Sequence, residues 1–172
     1  GIKTFSLTIN SVGCPRCRPK YKELLRLELR KVFDQLSEDS QRRVEQNPLR
    51  VLDSKDEHDR SLTATIPSIL DYLCDECSTH FKTVQKVLDT LHLPYTVDNR
   101  LVRGLDYYTK TAFEITSTSL GSQDALAGGG RYDMLVEELG GASTPGVGFA
   151  AGIERLLTAL TASEAFQPPA LT

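Results

Sequence analysis

No stretch of the 172 residues approaches the ~20 consecutive apolar side chains of a membrane-spanning helix, and no signal-peptide pattern opens the chain. These absences argue against a membrane protein and point to a cytosolic setting. A strong field of one sign is missing too. Twenty Lys and Arg stand against 23 Asp and Glu, a formal charge of −3, so nothing overall advertises nucleic-acid binding. Any RNA contact has to come from a local basic patch. Cysteine is absent outside two short stretches. The rest, 40% apolar and 25% charged, is ordinary globular composition in a chain long enough for one good core or two small ones.

The pattern divides the chain. Thr4 to Asn10 alternates apolar and polar residues and predicts a strand. From Pro19, the positions Tyr21, Leu24, Leu25, Leu27, Leu29, Val32, Phe33 and Leu36 recur near helical spacing and predict a long amphipathic helix. Ser37-Glu-Asp-Ser40 opens a shorter helix that must stop by Asn47-Pro48. Ser54 to Arg60 is charged, lacks an apolar period and predicts a loop. Short helices are expected from Pro67 to Leu73 and from Phe81 to Leu91. Pro94 to Val97 begins a run of strands with a short helix (Tyr132 to Leu139) and a longer terminal one (Ala150 to Thr161). The expected organisation is α+β: a core strand in 1–10, a mostly helical module inserted over 11–93, further strands of a mixed sheet in 94–162, and a linker tail in 163–172.

The four cysteines fall as Cys14-Pro-Arg-Cys17 and Cys74-Asp-Glu-Cys77. Two Cys-x-x-Cys pairs match a tetrahedral zinc site, because each pair clasps one edge of the metal from a single turn. The pairs are far apart in sequence, so the fold has to bring them together. Four reduced cysteines without metal are the plain alternative; disulfides fit poorly with a cytosolic chain. His80 is a possible substitute ligand, though a surface place suits it better. The role of the metal is structural, since nothing beside it suggests an activated water.

Three stretches carry the chemistry. In Leu101-Val-Arg-Gly-Leu-Asp-Tyr-Tyr108, Arg103 is a permanently charged fork suited to phosphate or carboxylate, Gly104 permits a close approach, and Tyr107 and Tyr108 can line a pocket. In Ala127-Gly-Gly-Gly-Arg-Tyr-Asp133, Gly128, Gly129 and Gly130 let backbone crowd a ligand, with Tyr132 held at a pocket floor. The third, Gly146-Val-Gly-Phe-Ala-Ala-Gly-Ile-Glu-Arg-Leu156, nearly spells a dinucleotide fingerprint, but its last glycine comes one residue late and no βαβ unit follows. There Val147 and Phe149 suit a buried strand end, and Arg155 sits one turn into a helix. Taken singly, each stretch also reads as a surface charge, a core aromatic or a flexible turn.

In this order the three stretches resemble the two histidine-specific motifs and the third shared motif of class II aminoacyl-tRNA synthetases, within the histidyl-tRNA synthetase family. Ile9-Asn-Ser-Val-Gly13 and Asn47-Pro-Leu-Arg-Val-Leu-Asp53 are similar to stretches of bacterial members. The resemblance implies part of a class II mixed or antiparallel sheet with flanking helices, bearing an inserted helical module that leans on the tRNA acceptor stem. It implies that Arg103 steadies the α-phosphate and the histidine carboxylate, that Tyr107, Tyr108 and Tyr132 line the histidine pocket over Gly128–Gly130, and that Gly152 and Arg155 serve ATP. It implies histidine, ATP with Mg²⁺ and tRNA(His) as partners and a homodimeric parent enzyme in the cytoplasm. Arg16, Arg18, Lys20, Lys22, Arg42 and Arg43 are candidates for tRNA phosphate.

The chain departs from the family in lacking the dimer-forming first motif and the second motif, whose arginine and acidic groups grip ATP and the substrate amine. It is therefore expected to be a piece covering the insertion and the C-terminal half of the catalytic core, monomeric and inactive by itself. Two other readings are a zinc-stabilised RNA-binding module and a non-catalytic paralogue that regulates histidine biosynthesis.

Overall fold

A computed structural model describes residues 2, 4–103, 107–121 and 124–163. Gly104 and most of the tail expected as a linker, 164–172, lie outside the described residues. Five strands, β1 (Ser6–Gly13), β2 (Thr96–Val97), β3 (Thr109–Thr116), β4 (Ala125–Arg131) and β5 (Val147–Ala151), form one sheet in the order β2-β1-β3-β4-β5. β2 runs parallel to β1, and the other pairings are antiparallel. Helices α1 (Arg18–Lys31), α2 (Glu38–Gln46), α3 (Leu49–Leu52), α4 (Glu57–Leu62) and α5 (Asp75–Thr90) lie between β1 and β2 in sequence. The short α6 (Leu135–Glu138) separates β4 from β5, and α7 (Ile153–Ala162) follows β5. The fold is α+β with a mixed sheet. Among the described residues no helix is long and apolar enough to cross a membrane.

β1 extends beyond Asn10 to Gly13, and its second half is buried on both faces. Alternation fades there because a strand covered on both sides has no solvent face to mark. Asn10 and Ser11 are fully buried, and the Asn10 amide donates to the Leu101 carbonyl at 3.0 Å. That bond pins the segment leading to Arg103 against the central strand.

The helices pack around their own apolar cluster. α1 contributes Tyr21, Leu25 and Leu29, four residues apart and so on one face, each essentially inaccessible. Leu36, Val44, Leu49, Val51, Leu52 and Ile69 complete it, and Val102 joins from the strand side. Asn47-Pro48 ends α2 as expected, but Pro48 then opens α3, where its fixed φ suits a helix start.

The charged stretch 54–60, expected as a loop, holds the start of α4. Asp56 caps it by accepting from the Asp59 amide at 3.0 Å. The missing apolar period has a specific cause: the residue that α4 buries is Asp59. Its carboxylate accepts from the Ser37 amide (2.9 Å) and from the hydroxyls of Ser37 (2.7 Å), Ser40 (2.5 Å) and Ser54 (2.8 Å). Other boundaries shift as well. The helix expected from Phe81 begins at Asp75, the terminal helix starts only at Ile153 because Ala150 and Ala151 belong to β5, and α6 is shorter than the stretch from Tyr132.

Burial opposes ionisation of Asp59, but the serine bonds, led by Ser40 and Ser37, outweigh it and hold the pKa at about 2. Since the folded value lies below that of an unfolded aspartate, the stabilisation is complete above about pH 4 and is lost as pH falls toward 2. Asp59→Ala should lower the unfolding free energy by about 2–4 kcal/mol at neutral pH. Urea unfolding of the variant at pH 7 and pH 3 checks both points: the deficit should shrink at the lower pH.

Candidate active site and metal centre

The antiparallel pairing of β3 and β4 sets Glu114 opposite Gly128. Arg103, arriving from the Val102 anchor, lays its guanidinium across this point and donates through Nη1 to Glu114 Oε2 at 2.7 Å. A Cβ on Gly128 would stand 2.6 Å from the guanidinium nitrogens, so only glycine leaves the arginine its place. Arg103, Glu114, Gly128, Gly152 and Arg155 line one cavity of about 330 Å³, closed on one side by Ala150 and Ala151. Arg155 reaches it from the first turn of α7 and donates through Nη1 to the Ala125 carbonyl at 2.9 Å. The Gly152 amide is engaged by the Leu126 carbonyl at 3.0 Å, so Gly152 offers the cavity space and no donor. Two arginines against one glutamate make the cavity electropositive. Arg103 Nε is buried without a hydrogen-bond partner among the described residues.

Beyond Gly130 lies a second group. Tyr107, Tyr108 and Tyr132 form a three-ring cluster with centroids 4.8, 5.9 and 6.3 Å apart, Tyr132 standing edge-on to the other two. A Cβ on Gly130 would touch the Tyr108 ring at 3.0 Å; one on Gly148 would meet the Tyr132 hydroxyl at 2.4 Å. Burial and the bond with Tyr108 raise the Tyr107 pKa, so its phenol stays protonated at neutral pH.

The glycine run therefore lies in strand β4 and not in a turn. Gly128 seats Arg103 and Gly130 seats Tyr108, while Gly129 answers to the neighbouring strand, where a Cβ would fall 2.2 Å from the Gly148 carbonyl oxygen. Sequence reading brought the arginines, glycines and tyrosines to one sheet but missed Glu114. Its signal was an acidic residue between Phe113 and Ile115, inside a strand whose other charge, Lys110, lies near its start.

The two cysteine pairs meet as expected. Cys14 and Cys17 occupy the turn from β1 into α1, and Cys74 and Cys77 the first turn of α5. The four sulfurs all lie within 4.8 Å of one another, with Cys14–Cys17 and Cys14–Cys74 at 3.8 Å and Cys17–Cys77 at 3.9 Å. Sulfurs held at about 2.3 Å from a tetrahedral zinc stand about 3.8 Å apart, whereas a disulfide requires about 2.05 Å. All four cysteines are free. Gly13, with φ +67°, makes the turn, and a Cβ there would press Cys17 Sγ at 2.9 Å. Burial resists ionisation of Cys14, but the amides of Arg16 and Cys17 overcome it and bring the pKa down to about 6, a thiolate ready for a cation. His80 stays apart and contacts the Thr111 hydroxyl at 3.1 Å.

Of the basic residues considered for RNA, Arg18 is turned inward onto main-chain carbonyls, and Arg43 pairs with Asp39 and the Arg50 carbonyl. Arg16 and Arg42 sit in exposed ion pairs with Glu76 and Asp39.

An electropositive cavity on a mixed sheet, a tyrosine cluster beside it and a helical module inserted after the first strand fit the catalytic core of a class II aminoacyl-tRNA synthetase. A family model for histidyl-tRNA synthetase matches residues 21–156. The chain is 55% identical over 160 residues to the histidine–tRNA ligase of Caldanaerobacter subterraneus subsp. tengcongensis, covering 93% of this chain and 38% of that protein. It is 52% identical over 169 residues to that of Nitratidesulfovibrio vulgaris strain DP4, covering 98% and 40%. The crystal structure of apo S. aureus histidyl-tRNA synthetase superposes with a TM-score of 0.74 at 40% identity, over 97% of this chain and 40% of that one. The chain belongs to the histidyl-tRNA synthetase family. It spans about two-fifths of the length of the relatives it matches. These ligase relatives do not favour a regulatory paralogue or a free-standing RNA-binding module.

Gly129→Ala drives a methyl into the β5 backbone, which cannot yield as a flexible side chain can. The sheet should lose about 2–4 kcal/mol, read as a lower thermal midpoint. Gly128→Ala, which meets only a side chain, should cost less.

Proposed function

We propose that this chain supplies part of the active site of a histidine–tRNA ligase, which joins histidine to ATP as histidyl-adenylate and passes the histidyl group to tRNA(His). The observation that carries this reading is the placement of two functional groups along one strand: the Arg103–Arg155 cavity at Gly128 and the tyrosine cluster at Gly130.

In the first step a histidine carboxylate oxygen attacks the α-phosphorus of Mg²⁺-bound ATP, and the bond to the bridging oxygen breaks to release pyrophosphate. A displacement of this kind depends on positioning and charge neutralisation more than on a general base. Arg103, with its unused Nε donor, is suited to the α-phosphate and the attacking carboxylate; Glu114 holds its fork in plane. Arg155, beside Gly152, is suited to the rest of the nucleotide. Tyr107, Tyr108 and Tyr132 give the imidazole flat aromatic walls and phenol hydrogen-bond partners, above the glycine floor of Gly128–Gly130. In the second step a terminal ribose hydroxyl of tRNA(His) attacks the adenylate carbonyl carbon and AMP leaves. Residues 11–93 form the module that leans on the acceptor stem, 94–162 belong to the catalytic core, and the parent enzyme works as a homodimer in the cytoplasm, where cysteines remain reduced.

The cysteine cluster is a structural zinc site in this reading. Its sulfur spacing and its Cys₄ donor set support zinc over bare thiols. Protein purified without chelator should hold about one equivalent of zinc per chain by metal analysis. Cys77→Ser should lower that figure, and wild-type protein devoid of zinc after purification under reducing conditions would overturn the assignment.

The catalytic reading is tested in the full-length ligase carrying this chain. Arg103→Ala should reduce histidine-dependent ATP–pyrophosphate exchange by about 2–4 kcal/mol in the barrier, roughly 30- to 1,000-fold, while tRNA binding changes little. An unaltered exchange rate would remove Arg103 from the site.

A further inference from the structure

We infer that the four-cysteine knuckle positions the tyrosine wall of the histidine pocket, and that Arg18 is the positioning residue that transmits it. The inference rests on the histidine-pocket reading of Tyr108 given above.

Arg18 follows Cys17 directly, and its amide closes the knuckle by donating to the Cys14 carbonyl at 2.9 Å. Its side chain turns back under the sheet. Nε donates to the Val12 carbonyl at 2.9 Å, and Nη2 to the carbonyls of Gly13 (3.1 Å) and Tyr108. One planar fork thus joins the end of β1 to the residue whose ring rests on Gly130. Lysine, with a single nitrogen, cannot span these carbonyls in one plane.

The second cysteine pair reaches the same segment from the other side. Glu76, between Cys74 and Cys77, pairs with Lys110 at 2.7 Å, two residues after Tyr108. Lys110 has φ +54°, a left-handed backbone that costs a non-glycine residue of order 1 kcal/mol or more and needs an outside restraint. It sits where the β1–β3 register shifts between Ser11 and Gly13. One turn further along α5, His80 meets the Thr111 hydroxyl at 3.1 Å. Thr109, between these clasps, accepts from the Asp133 amide at 3.1 Å and so ties in the segment that bears Tyr132. The first cysteine pair carries one clasp on residues 108–111 and the helix that bears the second pair carries two, and the nearness of the sulfurs holds the pairs together. These clasps fall on residues 108–111, beside the tyrosines, whereas Arg103 takes its own partner, Glu114, further along β3, so the effect falls on histidine more than on ATP.

The test compares wild-type full-length ligase with Arg18→Gln in zinc content and in ATP–pyrophosphate exchange with each substrate varied. The expected result is full zinc occupancy, a KM for histidine raised about five-fold or more, and a KM for ATP changed less than about two-fold. Glu76→Gln, which loosens the Lys110 clasp without touching a sulfur, should raise the histidine KM in the same direction, and it carries the test should Arg18→Gln fail to fold. Wild-type enzyme stripped with a chelator should show the same selective rise, reversed by added zinc. An unchanged histidine KM in zinc-loaded Arg18→Gln overturns the proposal, as does an equal rise for histidine and ATP, which is the mark of general loosening. A wild-type enzyme without histidine-dependent exchange overturns the underlying reading and this proposal with it, and shows itself before any variant is made.

Discussion

The molecule depends most on one long-range contact, the meeting of Cys14 and Cys17 with Cys74 and Cys77. Between the pairs the chain leaves the sheet, builds four helices and returns. Cys14 and Cys74 are 60 positions apart in sequence yet 3.8 Å apart in space. By the chain-entropy argument for cross-links, fixing a loop of that length removes about 4 kcal/mol of disorder from the unfolded chain. A metal seated among the sulfurs would act as such a cross-link. Thiols alone hold the loop only by packing, and the cluster they form is small: among the described residues Leu73 is the apolar side chain packed against it besides the cysteines themselves.

The helical module is also part of how the site is made. Val102 is buried in the module's core with Leu25, Leu29 and Val51, and the next residue is Arg103. Asn10 in β1 holds the Leu101 carbonyl from the other side. The arginine leaves a backbone fixed by both the sheet and the helices, which is what the charge-stabilising role proposed for it would require if it is not to reorganise during reaction. Asp59 serves the same end from further off. By gathering Ser37, Ser40 and Ser54 it orients α2 and α4 against each other, with Val44 sealed beneath them.

Groups whose chemistry shows in their own spacing were legible in the sequence: the doubled cysteine pairs, the arginines beside glycines, the helical stripe of α1. Groups whose role is set by a distant partner were not. Glu114 looks like any charge in a strand until the β3–β4 register places it opposite Gly128. Arg18 looks like a helix-start cation available to RNA, and only the fold shows it facing three carbonyls. Asp59 hid α4 entirely, because a helix that buries a carboxylate among hydroxyls has no apolar period to detect. The glycine run read as a turn because glycine is rare within strands. Here three different close approaches, from a guanidinium, a neighbouring backbone and a tyrosine ring, each require it.

The sheet's far edge exposes apolar side chains. Val147 and Phe149, expected to end a buried strand, are instead at least 70% exposed because β5 is the outermost strand of the sheet, as is Ile153, with Leu157 half exposed at the start of α7. Ala150, Ala151 and Gly152, which wall the arginine cavity, sit among them. The apolar edge and the open side of the cavity are thus one surface. A charge such as Arg103 stabilises a developing phosphate charge strongly only where water is excluded, since the same contact is weakened by solvent. The described residues supply the charge, the floor and the aromatic wall. In the role proposed for Arg103, any cover that dried that cavity would strengthen its contact as much as the guanidinium's own placement does.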